Sequence, residues 1–288
     1  MKVRLKFDTP ADSNSRKVKK LIEGSRLSTV CEEASCPNLG HCWGQGTATF
    51  LVMGEVCTRR CGFCDISTAR PFALDPSEPL RLADTIAEME LKHAVITSVD
   101  RDDLKDCGSM HFARCITATR EKNPNTSIEV LIPDFKGKLE NLQRIWDAGP
   151  DIINHNVETV PSLFSTICPQ SNYQVSLDVL RESAERGFLT KSGIILGLGE
   201  TLEEVRSVLD DLRQNGVHLV TIGQYMQPTR EHAPLVRYAP VSEFQGLKEY
   251  ALELGFLHVE SGPLVRSSYH AGDALETILK RGAEPKIG

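Results

Sequence analysis

Short apolar runs and segments with helical spacing alternate along most of the chain. The apolar runs predict buried strands at 48–57, 93–98, 127–132, 151–156, 188–196, 218–225 and 256–261. Between these runs, apolar residues recur every three or four positions and predict helices at 80–91, 111–121, 139–149, 176–187, 201–216 and 241–255. Thr201 followed by Glu204 predicts a capping box at the start of one helix. Alternation of strand and helix is typical of βαβ units that form a parallel sheet.

The alternation predicts an α/β fold, in the form of a partial (β/α)6 barrel of the TIM type. A doubly wound sheet fits less well, because no G-x-G-x-x-G follows the first strand. Upstream, 18–27 has helical spacing, whereas the glycine-containing segment 31–46 predicts an irregular loop. The expected organisation is an N-terminal extension at 1–46, the barrel at 47–260 and a C-terminal extension at 261–288.

Composition and charge exclude several classes of function. The 288 residues include 33 Lys and Arg against 39 Asp and Glu, and this net charge of −6 argues against a nucleic-acid binder. No apolar run approaches the length of a membrane span, and MKVRLKFDTP lacks the apolar core of a secretory signal. Unbridged cysteines at this density are typical of a reducing compartment, so we expect a cytoplasmic protein with no membrane partner.

Six of the nine cysteines form two compact triplets. The second triplet, Cys57, Cys61 and Cys64, reads C-T-R-R-C-G-F-C and follows the first predicted barrel strand. Disulfides among such close neighbours are strained, whereas three thiolates suit one small inorganic cluster. Three thiolates on a four-iron cube leave one iron open for chemistry. A zinc site and three incidental thiols are the alternatives, but structural zinc prefers four protein ligands.

The second triplet resembles the C-x3-C-x2-C signature of the radical S-adenosylmethionine superfamily, and Phe63 matches the aromatic residue common there. The resemblance implies that Cys57, Cys61 and Cys64 are catalytic and hold a [4Fe-4S] cluster, whose fourth iron is chelated by S-adenosylmethionine. In that superfamily, one electron from the cluster cleaves the sulfonium to methionine and a 5′-deoxyadenosyl radical.

The first triplet, Cys31-x4-Cys36-x5-Cys42, resembles the auxiliary-cluster signature of the lipoyl synthase family. The resemblance extends over most of the chain and implies a second [4Fe-4S] cluster on these three cysteines. His41, beside Cys42, is an alternative iron ligand. The further stretches that carry the resemblance are CEEASCPN, GTATF, ITSVDRDDL, NHNVETV, TKSGIILGLGET and GPLVRSSYHA.

The tetrapeptide R-S-S-Y, which ends at Tyr269, is also similar to that family. The resemblance implies that one serine hydroxyl completes the auxiliary cluster. Position within the motif favours Ser267, and Ser268 is the alternative. Both serines are alternatively caps of a helix predicted at 273–281.

Polar residues near the ends of predicted strands are candidates for contacts to S-adenosylmethionine. The stretch GIILGLGE resembles the superfamily's G-x-I-x-G-x-x-E, whose backbone contacts adenine. Each candidate has an equally good structural interpretation, such as satisfying loop carbonyls. The candidates are Thr97, Ser98, Asp100, Asn156, Glu158, Lys191, Ser192 and Gly197.

The resemblance implies a sulfurtransferase that inserts sulfur at C6 and C8 of an octanoyl chain carried on a lysine. The auxiliary cluster is then the sacrificial sulfur donor. The implied partners are octanoylated carrier domains (2-oxoacid dehydrogenase E2 subunits and glycine cleavage H protein), an electron donor such as ferredoxin or flavodoxin, and an iron–sulfur carrier protein.

Two other functions compete with this interpretation. The auxiliary cluster is an electron conduit in radical enzymes that modify peptides, but those usually carry a longer cysteine-rich tail than this chain, which has no cysteine after Cys168. A zinc- or cluster-bearing interaction module explains the cysteines but leaves the barrel alternation without a purpose.

Iron and sulfide analysis of anaerobically reconstituted protein tests the two-cluster expectation. We expect about eight iron atoms per chain, from two four-iron cubes, together with a visible absorbance shoulder that zinc lacks. About four iron atoms per chain would contradict a second cluster.

Overall fold

The structure is a computed structural model that describes residues 13–34, 36, 38–44, 48–268 and 271–272. Three sequence predictions, on the side chain of His41, on Tyr269 and on the helix at 273–281, lie outside the described residues. Among the helices that are described, none has both the length and the apolar character needed to cross a lipid bilayer.

Eight of the ten described strands form one sheet. The strands are β1 Ser28–Thr29, β2 Thr49–Val52, β3 Val56–Cys57, β4 Ser67–Thr68, β5 His93–Ser98, β6 Ser127–Leu131, β7 Ile152–Asn154, β8 Leu189–Leu196, β9 Leu219–Gln224 and β10 His258–Gly262. The order in the sheet is β1-β2-β5-β6-β7-β8-β9-β10, and β3 pairs with β4 separately. β1 is antiparallel to β2, and all other neighbours are parallel. Because β1 and β10 each have one neighbour, the described sheet is open, as in a partial barrel.

At least one helix lies in each connection between neighbouring parallel strands of the eight-stranded sheet. The described helices are α1 Ser13–Ser25, α2 Val30–Glu33, α3 Leu39–Gly44, α4 Glu78–Glu88, α5 Ser109–Lys122, α6 Leu139–Asp147, α7 Pro161–Ile167, α8 Tyr173–Glu185, α9 Leu202–Gln214 and α10 Val241–Glu253, with a 3-10 turn at Phe135–Gly137. The predicted α/β fold with a mostly parallel sheet is confirmed.

The N-terminal extension packs into the core of the barrel. Val18 and Ile22 of α1 and Trp43 of α3 are buried in the same cluster as Phe50 of β2 and Leu82 of α4. β1 also extends the sheet beyond β2. The first cysteine triplet is therefore fixed to the barrel by a shared apolar core.

Two details of the predicted local structure are wrong. The strand predicted at 48–57 ends at Val52, because Met53 and Gly54 both adopt positive φ, 70° and 94°, and the chain turns out of the sheet. The segment 31–46, predicted to be irregular, contains the short helices α2 and α3. Thr29 begins α2 as its cap, since its hydroxyl accepts the Glu32 N–H at 3.3 Å.

The capping box predicted for α9 is present. Thr201 Oγ1 accepts the Glu204 N–H at 3.2 Å, and Glu204 Oε2 accepts the Thr201 N–H at 2.8 Å. These two bonds satisfy N–H groups that have no partner within the helix.

Thr201→Ala should lower the free energy of unfolding by about 1 kcal/mol, because one cap acceptor is lost. Urea denaturation measures this change, and Thr201→Ser, which keeps the hydroxyl, is the control. Equal stability of the Ala and Ser variants would contradict the capping role.

Candidate active site

A cavity of about 1860 Å³ lies at the carboxyl ends of the parallel strands. Cys57, Cys61 and Cys64 of the second triplet line it, as Cys36 of the first triplet and Ser267 of the C-terminal segment also do. One cavity therefore receives residues from both cysteine triplets and from the R-S-S-Y segment.

Backbone hydrogen bonds hold the cysteine loop 57–64 from two sides. Gly62 N donates to Ile167 O at 2.7 Å, and Gly62 O accepts from Ala233 N at 2.8 Å. His232 Nε2 lies 3.0 Å from Cys64 O. The path of the loop that carries the three thiols is thus fixed by the end of α7 and by the segment after β9.

Burial raises the pKa of the Cys57 thiol to about 11 and that of Cys64 to about 12. The pKa of the Cys61 thiol is also raised. The largest cause is a hydrogen bond with the buried Cys168 thiol, and burial is the second cause. In the metal-free protein these thiols are therefore protonated, and metal binding must release the protons. The Sγ of Cys57 accepts N–H bonds from Arg59 at 3.4 Å and Asp100 at 3.3 Å, which favour the thiolate.

The second triplet fits an iron–sulfur cluster in donor type and in number. In addition to burial, the neighbouring thiols raise one another's pKa. Cys61 raises the pKa of Cys57, and Cys57 and Cys61 both raise the pKa of Cys64. Thiolate sulfur is the ligand that such clusters prefer. Three sulfur donors at one cavity leave room for a non-protein ligand on the fourth iron.

The first triplet is also gathered in space. Burial raises the pKa of the Cys31 thiol to about 12, and the neighbouring Cys36 and Cys42 contribute to the rise. Asn38 Nδ2 donates to Leu264 O at 2.7 Å, which joins this cysteine segment to the C-terminal segment. The hydrogen bond places the R-S-S-Y region beside the first triplet.

The backbone of the C-terminal segment packs closely against the backbone of β9. A Cβ at Gly223 of β9 would lie 2.4 Å from Val265 O, so any larger residue would push the segment away. Arg266 and Ser267 line the cavity, whereas Ser268 is not among the residues that line it. Burial lowers the pKa of Arg266, and the nearby Cys36 opposes that shift.

Five of the eight candidates for S-adenosylmethionine contacts line the cavity: Thr97, Ser98, Asp100, Asn156 and Glu158. Ser98 Oγ and Asn156 Oδ1 are buried without a hydrogen-bond partner among the described residues. Buried polar atoms of this kind normally have partners, so these two atoms fit a polar ligand in the cavity. Glu158 has a positive φ of 65°, and burial raises the pKa of its carboxyl to about 7.

The other three candidates do not line the cavity. Lys191 Nζ lies 2.8 Å from Glu129 Oε1 in a buried ion pair. Ser192 Oγ accepts the N–H of Val157 at 3.3 Å. Gly197 has φ 109°, and a Cβ there would lie 2.3 Å from Gln224 Nε2. The geometry gives each of these residues a structural role and no support for contact with S-adenosylmethionine.

Comparison with known proteins identifies the family. The radical SAM superfamily profile matches residues 51–212. Lipoyl synthase of Coxiella burnetii (strain Dugway 5J108-111) is 54% identical over 272 residues, which cover 93% of this chain and 86% of that protein. Lipoyl synthase of Leptospira interrogans (serogroup Icterohaemorrhagiae serovar Lai, strain 56601) is 50% identical over 275 residues, covering 96% and 91%. The chain belongs to the lipoyl synthase family.

Membership of the lipoyl synthase family makes the chain a sulfurtransferase enzyme and confirms the prediction of radical SAM chemistry. A solved structure, Streptococcus suis SuiB bound to S-adenosylmethionine, has a TM-score of 0.60 and covers 87% of this chain and 63% of its own. Its sequence identity is 11%, so the likeness concerns the fold alone.

Sequence reasoning missed several residues at the site. Arg59, inside C-T-R-R-C, lines the cavity and is only 4% exposed, although nothing in the sequence marks it as buried. Cys168 belongs to neither triplet, yet its thiol is hydrogen-bonded with that of Cys61. Asn38 lies inside CEEASCPN, but nothing local indicates its bond to Leu264. Of these residues, only Arg59 had a usable signal in the sequence for a role at the site, because it is an arginine inside the cysteine motif.

Lys191→Met should lower the free energy of unfolding by about 3–5 kcal/mol, because the carboxylate of Glu129 stays buried without its cation. Burial alone would raise the pKa of Glu129, but Lys191 and His93 outweigh it and lower the value to about 2. Guanidinium denaturation measures the loss, and the double variant Lys191→Met with Glu129→Leu should recover much of it. A stable Lys191→Met protein with weakened S-adenosylmethionine binding would instead favour the original prediction.

Proposed function

We propose that this chain converts a protein-bound octanoyl-lysine to lipoyl-lysine by inserting sulfur at C6 and C8. The observation that carries the proposal is the single cavity shared by the two cysteine segments and Ser267. A carbon radical must meet sulfur before it escapes, and two groups that face the same cavity satisfy that need. Identity of 50–54% to lipoyl synthases over most of the chain supports the same assignment.

In this proposal, Cys57, Cys61 and Cys64 hold one [4Fe-4S] cluster and leave one iron for S-adenosylmethionine. A second [4Fe-4S] cluster is held by Cys31, Cys36, Cys42 and Ser267, with Ser268 as the alternative ligand. Ser267 is favoured because it lines the cavity with Cys36. Serine oxygen is a harder and weaker ligand for iron than thiolate, so it suits a cluster that is consumed as the sulfur source.

When bound, the clusters and S-adenosylmethionine supply a radical that abstracts hydrogen and the sulfur that replaces it. The chain's own residues position these groups and exclude water. Ser98 Oγ and Asn156 Oδ1, which lack partners among the described residues, bind the polar groups of S-adenosylmethionine. Thr97, Asp100 and Glu158 complete that polar wall of the cavity.

Apolar side chains lie on the other parts of the cavity wall. Leu163 and Phe164 of α7, Ile195 of β8 and Leu198 after it line the cavity near the second triplet. An octanoyl chain is apolar, so such a wall both binds it and keeps water from the radical. The apolar character of this part of the wall supports an acyl substrate.

The proposed partners follow from the reaction. The substrate is the octanoylated lysine of a carrier domain, from a 2-oxoacid dehydrogenase E2 subunit or glycine cleavage H protein. A ferredoxin or flavodoxin supplies electrons, and an iron–sulfur carrier protein rebuilds the consumed cluster. All of these partners, and the unbridged cysteines of this chain, fit a cytoplasmic setting.

The decisive test incubates the anaerobic holoenzyme with an octanoylated carrier domain, S-adenosylmethionine and dithionite. Mass spectrometry should detect the gain of two sulfur atoms on the carrier, and 5′-deoxyadenosine should form at about two per lipoyl group, one for each C–H bond that is broken. The triple variant Cys31→Ala, Cys36→Ala, Cys42→Ala should still release 5′-deoxyadenosine but insert no sulfur.

Ser267→Ala and Ser268→Ala are a matched pair, because each removes one neighbouring hydroxyl. We expect sulfur insertion to fall at least about tenfold in the first variant and little in the second, since only one oxygen is required as ligand. Sulfur insertion by the cysteine triple variant would overturn the sacrificial role. Retention of all protein sulfide during turnover would instead favour an electron conduit.

A further inference from the structure

Arg59 lies inside the second cysteine motif, and its side chain is 3% exposed. Arginine is rarely buried this fully unless dedicated partners neutralise and satisfy it. The adjacent Arg60 carries the same charge but is exposed. The two arginines of C-T-R-R-C therefore have different surroundings, and the burial of Arg59 needs an explanation.

All five N–H groups of the Arg59 guanidinium are hydrogen-bonded. Asp102 accepts from Nε at 2.8 Å and from Nη2 at 3.1 Å. Asp134 accepts from Nη1 at 2.8 Å and from Nη2 at 2.6 Å. Ser171 Oγ accepts the remaining Nη1–H at 3.2 Å. Because a guanidinium has five donors in a fixed planar fork, no other side chain reproduces this set.

The three partners come from three different connections of the fold. Asp102 follows β5, Asp134 follows β6, and Ser171 lies between α7 and α8. Asp102 is joined to the loop a second time, since its N–H donates to Thr58 Oγ1 at 2.9 Å. Arg59 thus ties the cysteine loop to three segments at the rim of the cavity.

Several carboxylates lie around Arg59, beside the cysteine loop 57–64. Asp100 Oδ1 lies 3.3 Å from Arg59 Nε, and Asp100 Oδ2 lies 3.7 Å from Cys57 Sγ. In the metal-free protein the Cys57 thiol donates a hydrogen bond to this carboxylate. Once Cys57 is a thiolate, as a cluster requires, the thiolate and the carboxylate repel each other, and exclusion of water strengthens the repulsion. Three carboxylates, those of Asp100, Asp102 and Asp134, surround the one guanidinium. Without Arg59, Lys136, whose Nζ lies 3.8 Å from Asp102 Oδ1, would neutralise one of these three carboxylates, and this side of the loop would keep a net negative charge.

We propose that Arg59 is a positioning residue that clamps the cysteine loop to the cavity rim and raises the reduction potential of its cluster. This inference rests on the proposed function, because it requires a cluster on Cys57, Cys61 and Cys64. An electron is added more easily to a cluster beside a positive charge and less easily beside a negative one. The clamp and the charge are separate consequences of one side chain, and each has its own measurement.

The test uses the full chain and two readouts. Hydrogen exchange of residues 57–64, with and without iron, reports the clamp. An EPR-monitored redox titration of the signal that changes on addition of S-adenosylmethionine reports the potential of the cluster with the open iron. Arg59→Gln should speed exchange in both forms. It should also make reduction about tenfold less favourable, a shift of about 59 mV to more negative potential for a one-electron couple.

Arg60→Gln is the matched control, because it removes the same charge from an exposed neighbour. Its exchange and potential should stay near those of the unmodified chain, since solvent screens exposed charge. Equal shifts in Arg59→Gln and Arg60→Gln would overturn the charge role. Unchanged exchange in Arg59→Gln would overturn the clamp.

Two further variants separate the clamp from the charge. Arg59→Lys keeps the cation but loses the planar fork, so exchange should be faster while the potential stays near its original value. Asp134→Asn keeps Arg59 and removes a negative charge, so the potential should move to more positive values. Opposite shifts in Asp134→Asn and Arg59→Gln are not produced by a structural defect alone. Asp134→Asn also serves as the test if Arg59→Gln does not fold.

The EPR signal of the unmodified chain separates the role of Arg59 from the proposed function. An unmodified chain with no EPR signal sensitive to S-adenosylmethionine would overturn the proposed function, while the exchange data would still report on the clamp. A sensitive signal whose potential ignores Arg59 and Asp134 would overturn only the present inference.

Discussion

The open side of the parallel sheet is the constraint on which the rest of the structure depends. A closed barrel would be filled by side chains, but here β1 and β10 each have one neighbour and the carboxyl ends of the strands surround a cavity. Segments from both ends of the chain reach that cavity. The hydrogen bond from Asn38 Nδ2 to Leu264 O, 2.7 Å long, joins them directly and closes the arrangement around the first cysteine triplet.

Buried ion pairs are a second structural feature of the molecule. Arg59 with Asp102 and Asp134, and Lys191 with Glu129, are ion pairs with almost no exposure on the basic side chain. Such pairs contribute little net stability, because removing each charge from water is costly. Their value lies in geometry, since each pair joins different strands or loops at defined distances. One pair fixes the cysteine loop, and the other joins β6 to β8 across the sheet.

Most of the fold was predictable, because strand and helix periodicities are local properties. The α9 capping box is an example in which Thr201 and Glu204 lie three positions apart and bond to each other. The errors occurred where local signals compete. Val52 and Cys57 belong to one apolar run, but positive φ at Met53 and Gly54 divides it. The helices α2 and α3 escaped prediction because they are too short to show a period.

The sequence by itself determined the chemistry, because the number and spacing of cysteines restrict which inorganic group they suit. It also determined the order of strands and helices and hence the fold class. Only the tertiary structure decided which polar residues meet at the cavity. Lys191 lies within β8 and Asn156 lies just after β7, and Lys191 pairs with Glu129 while Asn156 lines the cavity. The role of Arg59 was likewise decided in three dimensions, because its partners come from connections far apart in the chain and no local pattern records which of them will meet.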